Sequence, residues 1–378
     1  MSLLGRDILK VLIATDSFKG SIDAKNACAA IAAGVLQAQP EARVFQVPIS
    51  DGGEGFLHAV ISAAGQGEII KTQCLDPLGR VVDASFGRIG DTAVIEAALA
   101  NGLDLVPEDK RDPDYTTTFG VGMLIKAALD AGLKKLVIGV GGSATNDGGM
   151  GMAQALGISF TDGLGRQLPF GGKYLGRLAG IDISCIDGRV LDAQITVACD
   201  VENPLCGLDG AAHVYAAQKG AVPKQIKSLD AGLKRLGKLI KAELGQDISG
   251  LAGAGAAGGL AGGLVAFINA KLSSGANTVL DAAGFDDKLK ECDLVITGEG
   301  KLDKQTLKGK AVSAVAARAV TQGKPVCAIV GDSDGTQIPG ITQIIKLVDL
   351  AKDKDQARKN PEQYLRQAAQ QAAAQIKR

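Results

Sequence analysis

The chain has 378 residues, of which 46% are hydrophobic and 22% are charged, so it is long enough for about two globular domains and disorder is excluded as its main state. Its 41 basic and 41 acidic residues give a formal net charge of zero, which argues against a nucleic-acid-binding protein because such proteins usually carry a basic excess. The 51 glycines show no Gly-X-Y period, which excludes collagen and places the surplus in turns or beside a ligand.

Apolar, β-branched runs recur along the chain and predict buried strands. Several are continuous rather than alternating, as in parallel sheets that are covered on both faces. In chain order these runs are 11–14, 43–48, 135–140, 194–198, 293–297, 325–330 and 343–348. Helical patterns lie between many of them, at 23–38, 55–64, 117–131 and 228–244. This alternation of strand and helix predicts an α/β fold with a parallel sheet.

The stretch 68–97 breaks this rhythm. Its short extended runs are separated by turn sequences such as Asp-Pro-Leu-Gly at 76–79, a pattern typical of a hairpin or meander. The strand–helix rhythm resumes strongly near residue 293. We therefore predict a discontinuous domain made of residues 1–66 and 285–378, with residues 67–284 inserted as a second domain.

The cysteines and the chain start indicate a reducing compartment. Seven cysteines are an odd number, and no pair has the Cys-x-x-Cys spacing, so we expect buried thiols rather than disulfides or a zinc ribbon. Arg6 and Asp7 interrupt the N-terminal segment before an apolar signal core forms, so we expect a cytoplasmic protein. The uncharged stretch 248–270 is mostly glycine and alanine and gains little from lipid burial, so no membrane partner is expected.

Polar loops follow five of the predicted strands. Ligands of open α/β sheets bind beyond the carboxyl ends of the strands, and five loops of one chemical type are hard to explain as turns alone. The loops are 15–21, 51–55, 141–149, 199–204 and 298–306.

The loop 141–149 is the most informative of them. Four glycines flank Ser, Thr, Asn and Asp, and a helix is expected to follow from Gly151. Backbone N–H groups in such a loop, at a helix N-terminus, form an anion-binding nest. Asp147 would be unfavourable beside a bare phosphate, so we expect it to face a cation or a ligand hydroxyl.

Two other loops carry charged side chains close together. Asp51 and Glu54 lie among glycines, and carboxylates suit a hard cation such as Mg²⁺, although an acidic helix start is the alternative. Asp16, Ser17 and Lys19 place an acid, a hydroxyl and an ammonium within four residues, which suits a small acid substrate or a phosphate.

Histidine chemistry is not expected, because the chain has two histidines and both fit structural positions. A His-based zinc site lacks its ligands, and the chain has no Walker A loop. What remains is chemistry carried by carboxylates, amides, lysines and a metal ion. Phosphoryl transfer fits these groups, since it relies mainly on positioning and charge stabilisation.

Six motifs occur in order along the chain: TDSFKGS, SDGGEG, GVGGSATNDGG, ACDVENPL, GAGAAGG and VITGEGKLDKQTLKGKA. In these motifs, and in a match that runs in order from residue 11 to residue 311, the chain resembles the bacterial glycerate kinases of the first class. The resemblance implies ATP-dependent and Mg²⁺-dependent phosphorylation of D-glycerate, giving 2-phosphoglycerate in most members. It also implies two α/β domains, a Rossmann- or flavodoxin-like parallel-sheet domain and an inserted mixed α/β domain, with the site in the cleft between them.

Site roles follow from the strand-end loops once a kinase is considered. Nucleotide phosphates would be held by Gly141, Gly142, Ser143, Thr145 and Asn146. Substrate or the transferred phosphoryl group would be met by Asp16, Ser17 and Lys19. Asn203 is a further candidate for substrate binding, and with Pro204 it stiffens the loop that follows Cys199. Asp200 is the predicted base for the attacking hydroxyl, and Asp16 is its rival. The metal candidates are Asp51, Glu54 and Glu299.

Two other functions fit the same loops. One is a kinase for another small hydroxy acid, and the other is a non-catalytic sensor that binds glycerate on the same scaffold. An assay of ADP release over a panel of hydroxy acids separates the three. A monomer and a homo-oligomer both fit the sequence.

Overall fold

The computed structural model describes residues 8–18, 20–49, 55–304, 306–308 and 311–374. The strands are β1 (Lys10–Thr15), β2 (Arg43–Gln46), β3 (Glu68–Leu75), β4 (Val81–Ile89), β5 (Thr92–Glu96), β6 (Lys135–Gly139), β7 (Ser159–Asp162), β8 (Leu178–Asp182), β9 (Gln194–Ala198), β10 (Lys271–Ser273), β11 (Leu294–Leu302), β12 (Val326–Ser333) and β13 (Gln343–Lys346). The α-helices are α1 (Ala24–Ala38), α2 (Phe56–Ala64), α3 (Ala98–Asn101), α4 (Phe119–Asp130), α5 (Met150–Ala155), α6 (Ala211–Tyr215), α7 (Pro223–Leu244), α8 (Leu260–Ile268), α9 (Gly275–Ala282), α10 (Phe285–Glu291), α11 (Ala311–Thr321), α12 (Leu347–Leu350), α13 (Lys354–Lys359) and α14 (Pro361–Ala374).

The chain divides into two compact units. Unit 1 comprises Met1–Asp51, His58–Gly65 and Ala276–Arg378, and unit 2 comprises Gly52–Leu57 and Gln66–Gly275.

The sheet of unit 1 has five parallel strands in the order β13-β12-β11-β1-β2. Numbered within the unit this order is 2-1-3-4-5, the flavodoxin-like arrangement, and it confirms the predicted parallel-sheet fold. Its core includes Val11 and Ile13 of β1, which have no exposed surface. The topological switch point lies between β1 and β11, so a ligand of this unit is expected beyond the ends of these two strands.

The sheet of unit 2 has six strands in the order β10-β9-β6-β5-β4-β3. The first four are parallel, whereas β4 is antiparallel to both β5 and β3, so the predicted meander forms one side of the sheet. A separate antiparallel pair joins β7 and β8. The mixed sheet with its covering helices confirms the inserted mixed α/β fold.

Two strands differ from the sequence prediction in their ends. Strand β11 continues to Leu302, because β12 continues beside it and pairs Ser333 with Leu302. The last predicted strand ends at Lys346, where the chain turns into the short helix α12.

Within the described ranges, none of the helices combines the length and apolarity that a bilayer span requires.

Candidate active site

The loop 141–149 follows β6 and is largely buried in unit 2. Gly142 is exposed and Ser143 is 7% exposed, whereas the side chains of Thr145 and Asn146 have no exposed surface. Gly141 is half-buried, so a ligand can reach Gly141, Gly142 and the exposed edge of Ser143. Thr145 and Asn146 lie beneath them.

Three carbonyl oxygens of this loop accept hydrogen bonds from elsewhere in unit 2. The pairs are Leu103 N–H to Gly142 O (2.8 Å), Thr116 Oγ1 to Ala144 O (2.9 Å) and Lys219 Nζ to Thr145 O (2.7 Å). A trans peptide places each N–H opposite the preceding carbonyl, so the N–H groups of Ser143, Thr145 and Asn146 point away from these partners. That orientation suits anion binding by loop amides.

Asp147 holds the loop in place instead of facing a ligand. Its fully buried carboxylate accepts hydrogen bonds from the N–H and Oγ1 of Thr118 and from the N–H groups of Gly149 and Gly151, at 2.9 to 3.2 Å. The expectation that Asp147 meets a cation or a ligand hydroxyl is therefore wrong, because donors of its own chain surround it.

The same contacts correct the expected anion site at a helix N-terminus. Helix α5 has only six residues, and the N–H groups of Gly149 and Gly151 at its start donate to Asp147. The next N–H group, that of Met152, donates to Thr118 Oγ1 at 2.9 Å. Since these donors are occupied, any anion site here depends on the loop amides.

Close backbone packing fixes the shape of the loop and explains the motif GAGAAGG. A Cβ atom on Gly258 would overlap Thr145 O, and Gly258 also has a left-handed φ of 68°. A Cβ atom on Gly259, the last residue of the motif, would lie 2.9 Å from Gly148 Cα. Glycine is therefore required where the segment 253–259 packs against the loop 141–149.

The loop after β9 places Asp200 at a strand end, as predicted. Asp200 Oδ1 accepts a hydrogen bond from Gly275 N–H at 2.9 Å. Asn203 has both amide atoms engaged within the chain, since its Oδ1 accepts from Tyr215 Oη at 2.6 Å and its Nδ2 donates to Asp209 O at 2.8 Å. Asn203 therefore orders this loop, and its contact with substrate stays a prediction.

At the switch point of unit 1, Asp16, Ser17 and Glu299 lie near one sheet edge. Asp16 N–H donates to Gly298 O at 2.9 Å, which ties the loop after β1 to β11, and Ser17 N–H donates to Asp16 Oδ1 at 2.6 Å. Glu299 is 7% exposed, and its Oε1 accepts from Thr306 Oγ1 at 2.5 Å.

A pocket of about 310 Å³ opens at the same edge of unit 1. Phe18, Leu347 and Ala357 supply apolar lining, while Asp332 and Lys354 form an ion pair at 2.6 Å on its rim. Sequence reasoning missed this group, although Asp332 lies at the end of a strand and the rule used for the other loops would have found it.

The pentapeptide Gly-Asp-Ser-Asp-Gly at 331–335 has the Gly-x-Ser-x-Gly spacing of a hydrolase nucleophile elbow. Such an elbow places its serine on a sharp turn from a strand into a helix. Ser333 instead belongs to β12 and pairs with Leu302 of β11. The spacing therefore does not indicate a nucleophilic serine.

Of the three predicted metal ligands, the structure describes Glu299. Lys19, Asp51 and Glu54 lie outside the described residues, so their roles stay predictions. Across the ranges that the structure describes, no three His, Cys, Asp or Glu side chains are grouped to hold a metal ion. All seven cysteines are described, and all are free thiols.

Two buried charged residues that contact or adjoin the predicted loops were not singled out by the sequence. Glu96, 4% exposed, accepts hydrogen bonds from the N–H groups at the start of α2, directly after the loop that holds Asp51 and Glu54. Lys219, 3% exposed, donates to Ser143 Oγ at 2.8 Å, and burial lowers the pKa of Lys219 to about 7. No local motif marks either residue.

A sequence model described as the Glycerate kinase family matches residues 11–377. Among curated relatives, a glycerate kinase of Halalkalibacterium halodurans is 44% identical over 370 residues, which cover 96% of this chain and 97% of the relative. A glycerate 2-kinase of Escherichia coli is 46% identical over 325 residues, or 85% of each chain. Among solved structures, a Salmonella typhimurium LT2 protein assigned as glycerate kinase 2 is 42% identical with a TM-score of 0.85, covering 97% of this chain and 98% of that one.

Proposed function

This chain belongs to the glycerate kinase family, and we propose that it transfers the γ-phosphoryl group of ATP to D-glycerate, giving 2-phosphoglycerate and ADP. The observation that carries the proposal is the match of the family model over residues 11–377, which spans both units and every polar strand-end loop. A relative named glycerate 2-kinase, 46% identical, supports phosphorylation at the 2-position.

The loop 141–149 has the character of a phosphate-binding element. Gly141, Gly142 and the edge of Ser143 are accessible, and the N–H groups of Ser143, Thr145 and Asn146 point away from the partners of the neighbouring carbonyl groups. The one acid of the loop, Asp147, is bound by donors of its own chain. We assign Gly141, Gly142 and Ser143 to direct contact with nucleotide phosphates. Thr145 and Asn146, being fully buried, would support that contact from below.

Asp200 is the proposed base. The attacking hydroxyl of glycerate must lose its proton as the phosphoryl group arrives, and a carboxylate at a strand end suits that task. The hydrogen bond from Gly275 N–H to Oδ1 orients the Asp200 carboxylate. Asp16, Ser17 and Lys19 are the proposed contacts to glycerate or to the transferred group.

Magnesium is the proposed metal, and it would neutralise charge on the phosphate oxygens. Carboxylate oxygens are the ligands that Mg²⁺ prefers, so the donor type of the candidates fits the ion. The candidates are Asp51, Glu54 and Glu299. Of these Glu299 is described, and it lies at the carboxyl edge of the unit 1 sheet with its Oε1 bound by Thr306.

The test is ADP release from ATP with D-glycerate and Mg²⁺, followed by ³¹P–¹H correlation of the product. We expect turnover that a chelator abolishes and a phosphorus signal coupled to the proton on C2. Turnover with another hydroxy acid alone would favour the second kinase hypothesis. Absence of ADP release from the folded protein would overturn the enzyme assignment and leave a glycerate-binding protein.

A further inference from the structure

Lys219 is a buried ammonium beneath the loop 141–149. It ends the 3₁₀ turn Ala217–Lys219 and precedes Gly220, whose φ of 96° and close approach to Arg111 O hold the turn in place. The residue is 3% exposed. Removing an ammonium from water is costly unless its N–H groups find acceptors, so its partners indicate what it is for.

Among the described residues, both hydrogen-bond acceptors of the ammonium belong to the loop. Lys219 Nζ donates to Ser143 Oγ at 2.8 Å and to Thr145 O at 2.7 Å. Among the described residues, no carboxylate lies within 4.0 Å of it, and Asp147 acts on it only at longer range. The charge is therefore directed at the loop and is not consumed in a contact ion pair.

The bond to Ser143 fixes the direction of that serine's own hydrogen. Because Ser143 Oγ accepts from an ammonium, its O–H points away from Lys219, and the charge strengthens it as a donor. Ser143 keeps 7% of its surface exposed, next to the exposed Gly142. The bond to Thr145 O likewise turns the N–H of Asn146 to the opposite side of its peptide.

The interior around these contacts is unusually polar. Asn146 has no exposed surface, and neither its Oδ1 nor its Nδ2 has a hydrogen-bond partner among the described residues. Asn101, also fully buried, donates to Thr145 Oγ1 at 3.4 Å while its Oδ1 has no described partner. Buried amides are normally satisfied, so a group of them around one lysine indicates a site kept polar for binding rather than for stability.

We infer that Lys219 is a positioning residue for phosphate binding, acting through Ser143 and not by touching the ligand. The inference rests on the proposed function, which supplies the anion, namely the phosphates of a nucleoside triphosphate. Lys219 supplies the positive charge that this glycine-rich loop, unlike a Walker A loop, lacks in its own sequence.

Proton uptake is a consequence that a purely structural lysine would not show. Burial lowers the pKa of Lys219 to about 7, and Asp147 opposes that shift from the loop. Arg111 is a further charged residue of the neighbouring segment, and its backbone packs on Gly220. An anion bound at Ser143 stabilises the charged lysine, so binding at pH 8.0 draws a proton from the buffer.

The experiment is calorimetric titration of the full chain with ATP, without glycerate, at pH 8.0 in buffers of different ionisation enthalpy. The wild type is expected to take up roughly half a proton or more per ATP. Lys219→Gln should bind ATP about 10-fold or more weakly, with no uptake, while adenosine binds as before. Ser143→Ala should weaken ATP binding in the same direction, and Lys173→Gln, at an exposed lysine bound to Tyr115 Oη, should change nothing.

Three results would overturn the inference. These are ATP binding by the wild type without proton uptake, ATP binding by Lys219→Gln equal to the wild type, and equal losses of ATP and adenosine binding in that variant. The first needs no variant, so it decides the matter even if Lys219→Gln fails to fold. Inorganic tripolyphosphate serves as a second probe, and a wild type that binds neither it nor ATP also refutes the inference. ATP binding with proton uptake but no transfer to glycerate would instead refute the proposed function alone.

Discussion

Glu96 Oε2 lies 3.0 Å from the backbone nitrogen of Leu57, so a side chain of β5 supplies the acceptor for the first turn of helix α2. Its other oxygen accepts from Gly55 N–H at 2.9 Å. Both donors would otherwise be unpaired at the start of the helix. Glu96 therefore caps the first turn of helix α2.

Glu96→Gln should lower the free energy of unfolding by about 1–3 kcal/mol. An amide has one acceptor oxygen, so one of the two N–H groups would face an NH₂ group in a buried place. Urea unfolding measures the loss. Glu68→Gln is the control, because Glu68 is 63% exposed in a surface ion pair and should cost within about 0.5 kcal/mol. Equal stability of the Glu96→Gln variant and the wild type would contradict the capping role.

Gly258→Ala should destabilise the protein and abolish ATP binding. The added Cβ would overlap Thr145 O, and the φ of 68° is unfavourable for alanine, so we expect a cost of about 1–3 kcal/mol or more. Gly250→Ala is the matched control, since a Cβ there meets no atom within 4 Å. Thermal unfolding and ATP titration of both variants measure the difference, and equal behaviour would show that the loop adapts.

The sequence was informative wherever the signal was local. Continuous apolar runs predicted the parallel strands, and polar strand ends predicted the positions of Asp16 and Asp200, because neighbouring residues share one element. Asp147 was misread since its partner Thr118 is 29 residues away, and Lys219 was missed since Ser143 is 76 residues away. Such contacts exist only once the fold is formed. The domain limits at 66/67 and 284/285 stay a prediction.

Stability should rise with pH between about 7 and 10.5 through Lys219. Burial lowers the pKa of Lys219 to about 7 from 10.5, so in this window the unfolded chain binds more protons than the folded one. The contribution should grow by up to about 1.4 kcal/mol per pH unit. It is measured as the difference in unfolding free energy between the wild type and Lys219→Met at pH 7.0 and 9.5.

The difference between the wild type and Lys219→Met is used because buried thiols lower the unfolding free energy as the pH rises, opposite to the effect of Lys219. Burial raises the pKa of Cys327 to about 12, so the unfolded chain loses that proton first as the pH rises. Both proteins share this effect, and it cancels in the difference. A difference between the two proteins that stays constant with pH would mean that Lys219 keeps an ordinary pKa.

Asp200→Asn is the sharpest test of the proposed chemistry. Asparagine keeps an oxygen for the hydrogen bond from Gly275 N–H, so the loop should hold its shape, but it cannot accept the proton of the attacking hydroxyl. Loss of a base should lower kcat by about 10²- to 10⁴-fold. The affinity for ATP should change far less, because the phosphate contacts are assigned to the loop 141–149. The measurements are kcat from ADP release and the ATP dissociation constant from calorimetry.

Asp209→Asn and Asp16→Asn complete that test. Asp209 is exposed and contributes its carbonyl oxygen, not its carboxylate, to the bond with Asn203, so its variant should keep wild-type kcat. Asp16 lies at the corresponding end of β1, beside Gly298 of β11, and is the rival base. If Asp16→Asn is inactive while Asp200→Asn keeps its kcat, the two carboxylates exchange roles. If both keep it, neither accepts the proton, and either the base lies elsewhere or substrate deprotonation needs none.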